Sequence, residues 1–338
     1  MSTAFTRIFP LLCLFSIVGF SSEPYGLENL LKDELIQKIY YENPTRLGSG
    51  FAESGAVSVN AKWENKETDV YFIEQQRYGA DFVAAGLFTG KKDIVDLGVK
   101  VLEWGFQRQG TNGGFDDSGD RYHSTTFFVE ASARAALLLA ASRDPAHQAI
   151  ASRWRPRIEA AALWLADPVL IARFEQHQSN YTHRRWLTAA ALGLAAQLTG
   201  RKDLEAKAAE FARLGMAAQL PNGVNPEKGG FDVNYQGVGI LFASRYLSVC
   251  ADPDIQAGTK TMLRKALDWQ AGRFDAAGKV SLEGSSRVGG AKTETSRGGE
   301  QKKFDYKVTI QAFVYGSKIF PEPKYKDLAK LIAKGLGL

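Results

Sequence analysis

Apolar positions recur along this chain every three to four residues, with almost no alternation of the kind a half-buried strand requires. In Lys91–Phe106, Ile94, Leu97, Val101 and Trp104 fall on one helical face behind Asp93, a plausible cap. In Lys202–Met216, Leu204, Ala208, Phe211 and Met216 trace another face. Alanine-rich runs at Ala131–Ala141 and Ala189–Gln197 favour helices packed closely on their neighbours. The pattern also repeats. An apolar helix runs into a short turn, and a more charged helix follows. The turn markers Gly90, Pro145, Gly200 and Pro253 stand 55, 55 and 53 residues apart, and Pro321 to Pro323 follow after a longer gap. The excess matches a Gly-, Ser- and charge-rich insertion at 283–303. Two loops share a tetrapeptide, Gly113-Gly114-Phe115-Asp116 and Gly229-Gly230-Phe231-Asp232. The first helix of each pair is the more apolar, as the inner helix of a closed ring must be. The long polar and aromatic loops gather on one side, as at a cavity mouth. The expected fold is all-α: an (α/α) toroid of about five to seven hairpins in one domain, residues 22–338. Tyr25–Tyr41 would be an outer helix and Lys66–Phe88 its inner partner.

The N-terminus reads as a signal peptide, residues 1–21, with Arg7, an apolar run from Ile8 to Phe20, and small Gly19 and Ser21 at the cleavage positions. An exported protein, secreted or periplasmic, with no membrane segment after signal removal is expected. Cys13 leaves with the signal and Cys250 remains alone, so the core must supply stability without an intramolecular disulfide. The 338 residues carry 42 Lys and Arg against 37 Asp and Glu, a formal charge of +5. That mild excess suits an anionic partner but is too diffuse for nucleic acid. With four His, His177 and His183 six residues apart, and no Cys cluster, no metal site is expected. No phosphate loop, dinucleotide fingerprint or serine elbow is present, and no cofactor is called for.

In a toroid the starts of the inner helices converge on one cleft. Here those starts are unusually polar and aromatic: Tyr71, Tyr122-His123, the run Asn180 to Trp186, Asn234-Tyr235-Gln236, and Asp305-Tyr306-Lys307. His123 to Asn180 is 57 residues and Asn180 to Tyr235 is 55, one structural period each. The Asn180–Trp186 segment resembles the Asn–His–Trp signature of toroidal alginate and glycosaminoglycan lyases. Phe231–Leu247, with Asp-x-x-Tyr-Gln and a later Arg-Tyr, is similar to their next inner helix. The group it most resembles is polysaccharide lyase family 38, acting on glucuronan or alginate. In several toroidal lyases the Asn and His are adjacent, whereas two residues separate Asn180 from His183 here.

Cleaving a 4-linked uronate by β-elimination requires a neutralised C6 carboxylate, a base for the C5 proton and an acid for the departing O4. Asn180 is the candidate carboxylate ligand, assisted by His183 or an arginine such as Arg184. Tyr235 is the candidate base and acid, one period on; the resemblance implies the same Asn-then-Tyr spacing. Tyr306 is the second candidate for acid or substrate placement. His123, Tyr122 and Trp63 are candidate sugar contacts, and Arg287, Arg297 and Lys292 could close over a polyanion from the inserted loop. The expected function is a lyase of an anionic polysaccharide, β-1,4-glucuronan or alginate. The rivals are a toroidal glycoside hydrolase using Asp116, Asp117 and Asp232, and a non-catalytic binder of acidic polysaccharide. The Gly-Gly-Phe-Asp turns also have a simpler explanation, in which Asp hydrogen-bonds its own backbone.

Overall fold

A computed structural model describes residues 26–47, 54–57, 72–116, 120–289, 293–295 and 301–338. The signal segment 1–21, Trp63, Asp117, Lys292 and Arg297 lie outside them. The described residues form thirteen α-helices and no strand beyond isolated bridges. α1 (Leu27–Leu31) and α2 (Glu34–Leu47) come first. Five hairpins then follow: α3 (Tyr78–Thr89) with α4 (Lys92–Gln107), α5 (Arg121–Ala141) with α6 (Pro145–Leu165), α8 (Thr182–Thr199) with α9 (Lys202–Ala218), α10 (Val233–Leu247) with α11 (Pro253–Ala271), and α12 (Tyr306–Ile319) with α13 (Pro323–Gly335). α7 (Pro168–Gln178) is inserted between the second and third.

The inner helices pack in the order α2, α3, α5, α8, α10, α12, and α12 returns to α2 to close the ring. This is the (α/α) toroid that the hydrophobic pattern predicts. Composition explains which helix is inner. α5, α8 and α10 are buried on nearly every side, whereas α4 and α9 bury only one stripe. Small residues let the layers approach closely. A Cβ at Gly98 would lie 2.5 Å from the carbonyl oxygen of Gly79, where α3 and α4 touch.

The punctuation residues act as expected. Gly90 and Gly200 end α3 and α8 in the left-handed conformation, and Pro145, Pro253 and Pro323 open outer helices. Three expectations change. The N-terminal helix is not outer: α2 packs on α3 and α12, Ile39 lines the central cavity, and the Tyr40 hydroxyl donates to Gln311 at 2.8 Å. The helix expected from Lys66 begins at Tyr78, after a 3-10 turn at Ile73–Arg77, and residues 66–71 are not described. Asp93 lies inside the first turn of α4, whose cap position is Lys91.

The two Gly-Gly-Phe-Asp copies are not equivalent. Gly113 (φ 90°) turns the chain after outer helix α4, and its Asp116 is exposed beside Arg121. Asp232, in the second copy, is fully buried and caps inner helix α10. The loop that truly repeats is Gln-x-x-Asn-Gly after α4 and α9. Asn112 and Asn222 accept the N–H two residues on. Gln109 and Gln219 donate to the Gly113 and Gly223 carbonyls and also to the next outer helix, at Arg157 and Met262.

Candidate active site

Three inner helices open the same way. Asp120, Asp232 and Asp305 cap α5, α10 and α12, and each accepts the backbone N–H of the residue three positions on: His123, Tyr235 and Val308. Those three residues all line one central cavity of about 490 Å³. The cap therefore fixes both the helix start and the side chain that faces the lumen. α8 lacks a capping side chain and presents His183 and Arg184 instead.

Five of the expected site residues meet in this cavity: His123, His183, Arg184, Tyr235 and Arg287. The Tyr235 ring is the centre of the group. His183 lies 4.6 Å from it between centroids, and the Arg287 guanidinium carbon sits 3.7 Å above it. Lys302 donates to the Tyr235 hydroxyl at 3.1 Å. Two glutamates hold these groups in place. Buried Glu227 accepts from Arg287 Nη1 at 2.5 Å and pairs with His183 Nδ1 at 2.9 Å. Glu294 accepts from Arg287 Nε at 3.0 Å, from Lys302 at 2.7 Å and from Lys228. Three cations thus share two carboxylates in this cluster, which leaves an excess of positive charge beside the phenol. Burial penalises the Glu294 carboxylate, yet the hydrogen bonds from Lys228 and Lys302 and the Arg287 charge hold its pKa down at about 2. Burial also works against the Arg287 charge, but Tyr235, Glu227 and Glu294 outweigh it and hold its proton more tightly than usual.

A carboxylate can only accept, so the hydrogen between His183 and Glu227 resides on Nδ1 and leaves Nε2 as an acceptor when the ring is neutral. Burial lowers the His183 pKa, aided by Arg184 and Arg287 and opposed by Glu227. The neutral ring therefore cannot donate to a substrate carboxylate, and the assisting role expected for His183 becomes that of an acceptor.

Asn180 is the main displacement. It lies in the exposed turn between α7 and α8, its carbonyl accepts from Lys228 N at 2.8 Å, and it is not among the cavity-lining residues. The reason is helical phase: α8 begins at Thr182, so the lumen receives His183 and Arg184 rather than the turn before them. The asparagine among the described cavity-lining residues is Asn234, beside the amides of Gln75 and Gln311. Its Oδ1 is taken by the Asp305 N–H at 2.7 Å, which turns its two N–H donors away from that bond and leaves them for a ligand. Tyr306 and Tyr122 are also outside the lining. Tyr306 packs edge-on against Phe304, and Tyr122 packs at a tilt against Phe174 and donates to the Leu165 carbonyl. Arg184 is tied to Asp120 at 2.8 Å.

Of the carboxylates named for a hydrolase, Asp116 and Asp232 are also outside the cavity lining, and Asp117 lies outside the described residues. Asp116 is exposed, and Asp232 accepts from Tyr235 N, Ser285 Oγ, Arg287 N and Val288 N with no exposure at all. Its role is to pin the segment after α11 onto α10, which places Arg287 over Tyr235. The simpler turn-and-cap explanation accounts for it. Other carboxylates do reach the lumen. Deep in the cavity Asp81 accepts both terminal nitrogens of Arg134 at 3.1 Å, and Glu130 accepts from Arg134 Nε and Arg245 Nη1 at 3.0 Å. Burial raises the Asp81 pKa against the pull of Arg134 and Arg245. The same two arginines outweigh burial at Glu130 and lower its pKa.

Glu227, Glu294 and Lys302 are the residues the sequence conceals, and Asn234, named among the inner-helix starts, takes the place expected of Asn180 in the lining. Glu227 sits in a Pro-Glu-Lys-Gly-Gly run that reads as a solvated turn. It is held by bridges to Tyr181 and Gly230, and by Lys228 at φ 55°, a left-handed residue that is not glycine. Among the described residues no group of three or more His, Cys, Asp or Glu could hold a metal ion, and no helix is long and apolar enough to cross a membrane.

No protein-family model matches the chain. No curated protein matches it either. Solved structures do. The unsaturated glucuronyl hydrolase of Bacillus sp. GL1, described as responsible for the degradation of glycosaminoglycan, is 15% identical with a TM-score of 0.51, over 92% of this chain and 84% of that one. A UGL variant with dGlcA-Glc-Rha-Glc is 16% identical with a TM-score of 0.53, over 89% and 82%. These likenesses establish the toroidal fold. They do not extend to the lyase family that the Asn180–Trp186 motif resembles.

Proposed function

We propose that the chain is an enzyme that depolymerises an anionic polysaccharide, and that it does so as a lyase, by β-elimination at a 4-linked uronate of the glucuronan or alginate type. The observation that carries the proposal is the Tyr235 phenol with Arg287 over its ring, Lys302 donating to its hydroxyl and the His183 ring 4.6 Å away. In this reading Tyr235 removes the C5 proton and returns it to the departing O4. His183 Nε2 takes the phenol's own proton before the sugar arrives, so Tyr235 meets the C5 hydrogen as a phenolate whose charge the two cations in place stabilise. Asn234, in place of Asn180, donates to the C6 carboxylate, so that charge on C5 can delocalise into it. Glu227 is a positioning residue: it fixes the His183 ring and the Arg287 plane at once.

The fold neighbours carry the name of hydrolases, and that favours a second reading in which Asp81 acts as an acid, since its pKa is raised by burial. Both terminal nitrogens of Arg134 fall on one oxygen, Oδ1, and Oδ2 lies outside that contact, so Asp81 keeps an oxygen for this role. An ultraviolet absorbance screen on glucuronan, alginate blocks, pectate and glycosaminoglycans separates the two. The lyase leaves a conjugated C4=C5 double bond that absorbs. Release of reducing ends without absorbance would favour the hydrolase.

A further inference from the structure

Five arginines line the cavity: Arg77, Arg134, Arg184, Arg245 and Arg287. Four are neutralised in place, by Asp81 and Glu130, by Asp120, by Glu130, and by Glu227 and Glu294. Among the described residues Arg77 has no carboxylate partner. Its Nη1 donates to the Glu74 carbonyl at 2.7 Å, and its guanidinium lies against two rings, 5.1 Å from Tyr78 and 4.8 Å from Phe127. The group is thus half-buried, held flat and oriented, yet uncompensated. That is an unfavourable arrangement for a lone cation unless an anion visits it.

Its place in the ring gives the anion a location. Arg77 ends the 3-10 turn that opens α3, and α3 stands opposite α10, the helix that carries Tyr235, in the inner sequence α2, α3, α5, α8, α10, α12. With interaxial spacings of roughly 8–10 Å, opposite helices of a six-membered ring stand about twice that far apart. A row of rings joins the two walls: Phe127 to His123 at 4.7 Å, His123 to His183 at 6.3 Å, and His183 to Tyr235 at 4.6 Å. The reacting carboxylate belongs beside Tyr235, on the α8 and α10 side. A cation across the lumen meets a different one.

We propose that Arg77 binds the carboxylate of the neighbouring sugar, so that the cavity selects polymers with uronates on adjacent residues over those in which uronates alternate with neutral sugars. This rests on the uronate reading of the site above. A planar guanidinium takes a carboxylate through two parallel N–H···O bonds, and the rings beside it offer apolar faces to the sugar between the two charges.

The test is calorimetric binding in the Tyr235→Phe background, which prevents turnover, with a tetraglucuronate and an unsulfated hyaluronan tetrasaccharide. Arg77→Gln is expected to weaken tetraglucuronate binding roughly tenfold to hundredfold, as loss of a charge-assisted contact does. Hyaluronan binding should change less than about threefold, in line with a lost contact to a group it lacks. Arg77→Lys should recover part of the loss for tetraglucuronate, which a folding defect would not allow. Equal losses for both ligands, or no loss for either, would overturn the inference and leave the lyase reading standing. Failure of the wild-type protein to bind or cleave either ligand would overturn the uronate reading and this inference with it.

Discussion

At the scale of single residues the account concentrates on a few atoms. Tyr235→Phe removes one hydroxyl and keeps the ring that Arg287 covers. Turnover should fall by about 10²- to 10⁴-fold while oligosaccharide binding, followed by calorimetry, holds. A matching fall in affinity would reassign Tyr235 to substrate holding. The pH behaviour follows from His183. Its folded pKa lies below the ordinary 6.5, because burial outweighs Glu227. The unfolded chain therefore binds the proton first as pH falls. The stability this group contributes is complete above about pH 6.5 and is lost below it, as pH falls through the folded value. His183→Gln should flatten that part of the unfolding profile, read as denaturation midpoints from pH 7 downward. The same protonation removes the Nε2 acceptor, so kcat/KM should decline on the acid side in the wild type. Glu294 behaves similarly at lower pH. Its contribution is present above the ordinary 4.5 and is lost toward about 2, a window that Glu294→Gln should erase.

At the scale of elements, the caps and turns connect sequence to site most directly. Asp232 satisfies four donors from α10 and from the segment that carries Arg287. Asp232→Ala should cost about 3–5 kcal/mol, as removal of one partner from a buried charged network does. It should also lower activity by releasing Arg287. A hydrolase nucleophile at this position would instead lose activity at unchanged stability, so urea midpoints and rates measured together decide the matter. Gly223 is constrained twice, by φ 90° and by a Cβ position 2.3 Å from the Lys265 carbonyl. Gly223→Ala should destabilise by about 1–3 kcal/mol in thermal or urea unfolding. Gly229→Ala, at φ 79° but with nothing within 4 Å, should cost less. The helices were legible because period and punctuation are local: Gly90, Gly200 and the outer-helix prolines sit where the pattern puts them. Helix phase at the starts was less so. A two-residue offset moves Asn180 out of the lumen and brings Asn234 in, and only the capping geometry of Asp232 and Asp305 shows which residue faces inward.

For the whole molecule, closure depends on a buried polar chain that no local pattern announces. Tyr40 on α2, Asp81 on α3, Glu130 and Arg134 on α5, Arg245 on α10 and Gln311 on α12 are linked by hydrogen bonds through the middle of the ring. Residues far apart in sequence join here, and α2 is an inner helix because of this meeting. The same distance in sequence hid Glu227, whose partners His183 and Arg287 lie 44 and 60 residues away, and the Glu294 contact with Lys228, 66 residues away. The sum of the network is one cavity with paired charges at its base and unbalanced cations nearer the helix starts, a shape suited to an anionic chain.

The central claim is tested most directly by the mass of the products. Incubated with glucuronan or alginate in ¹⁸O-labelled water, the protein is predicted to give unsaturated fragments that carry no label and whose masses together equal that of the parent chain. Saturated fragments with the label at each new reducing end would contradict elimination, and would move the chemistry from Tyr235 to a carboxylate such as Asp81.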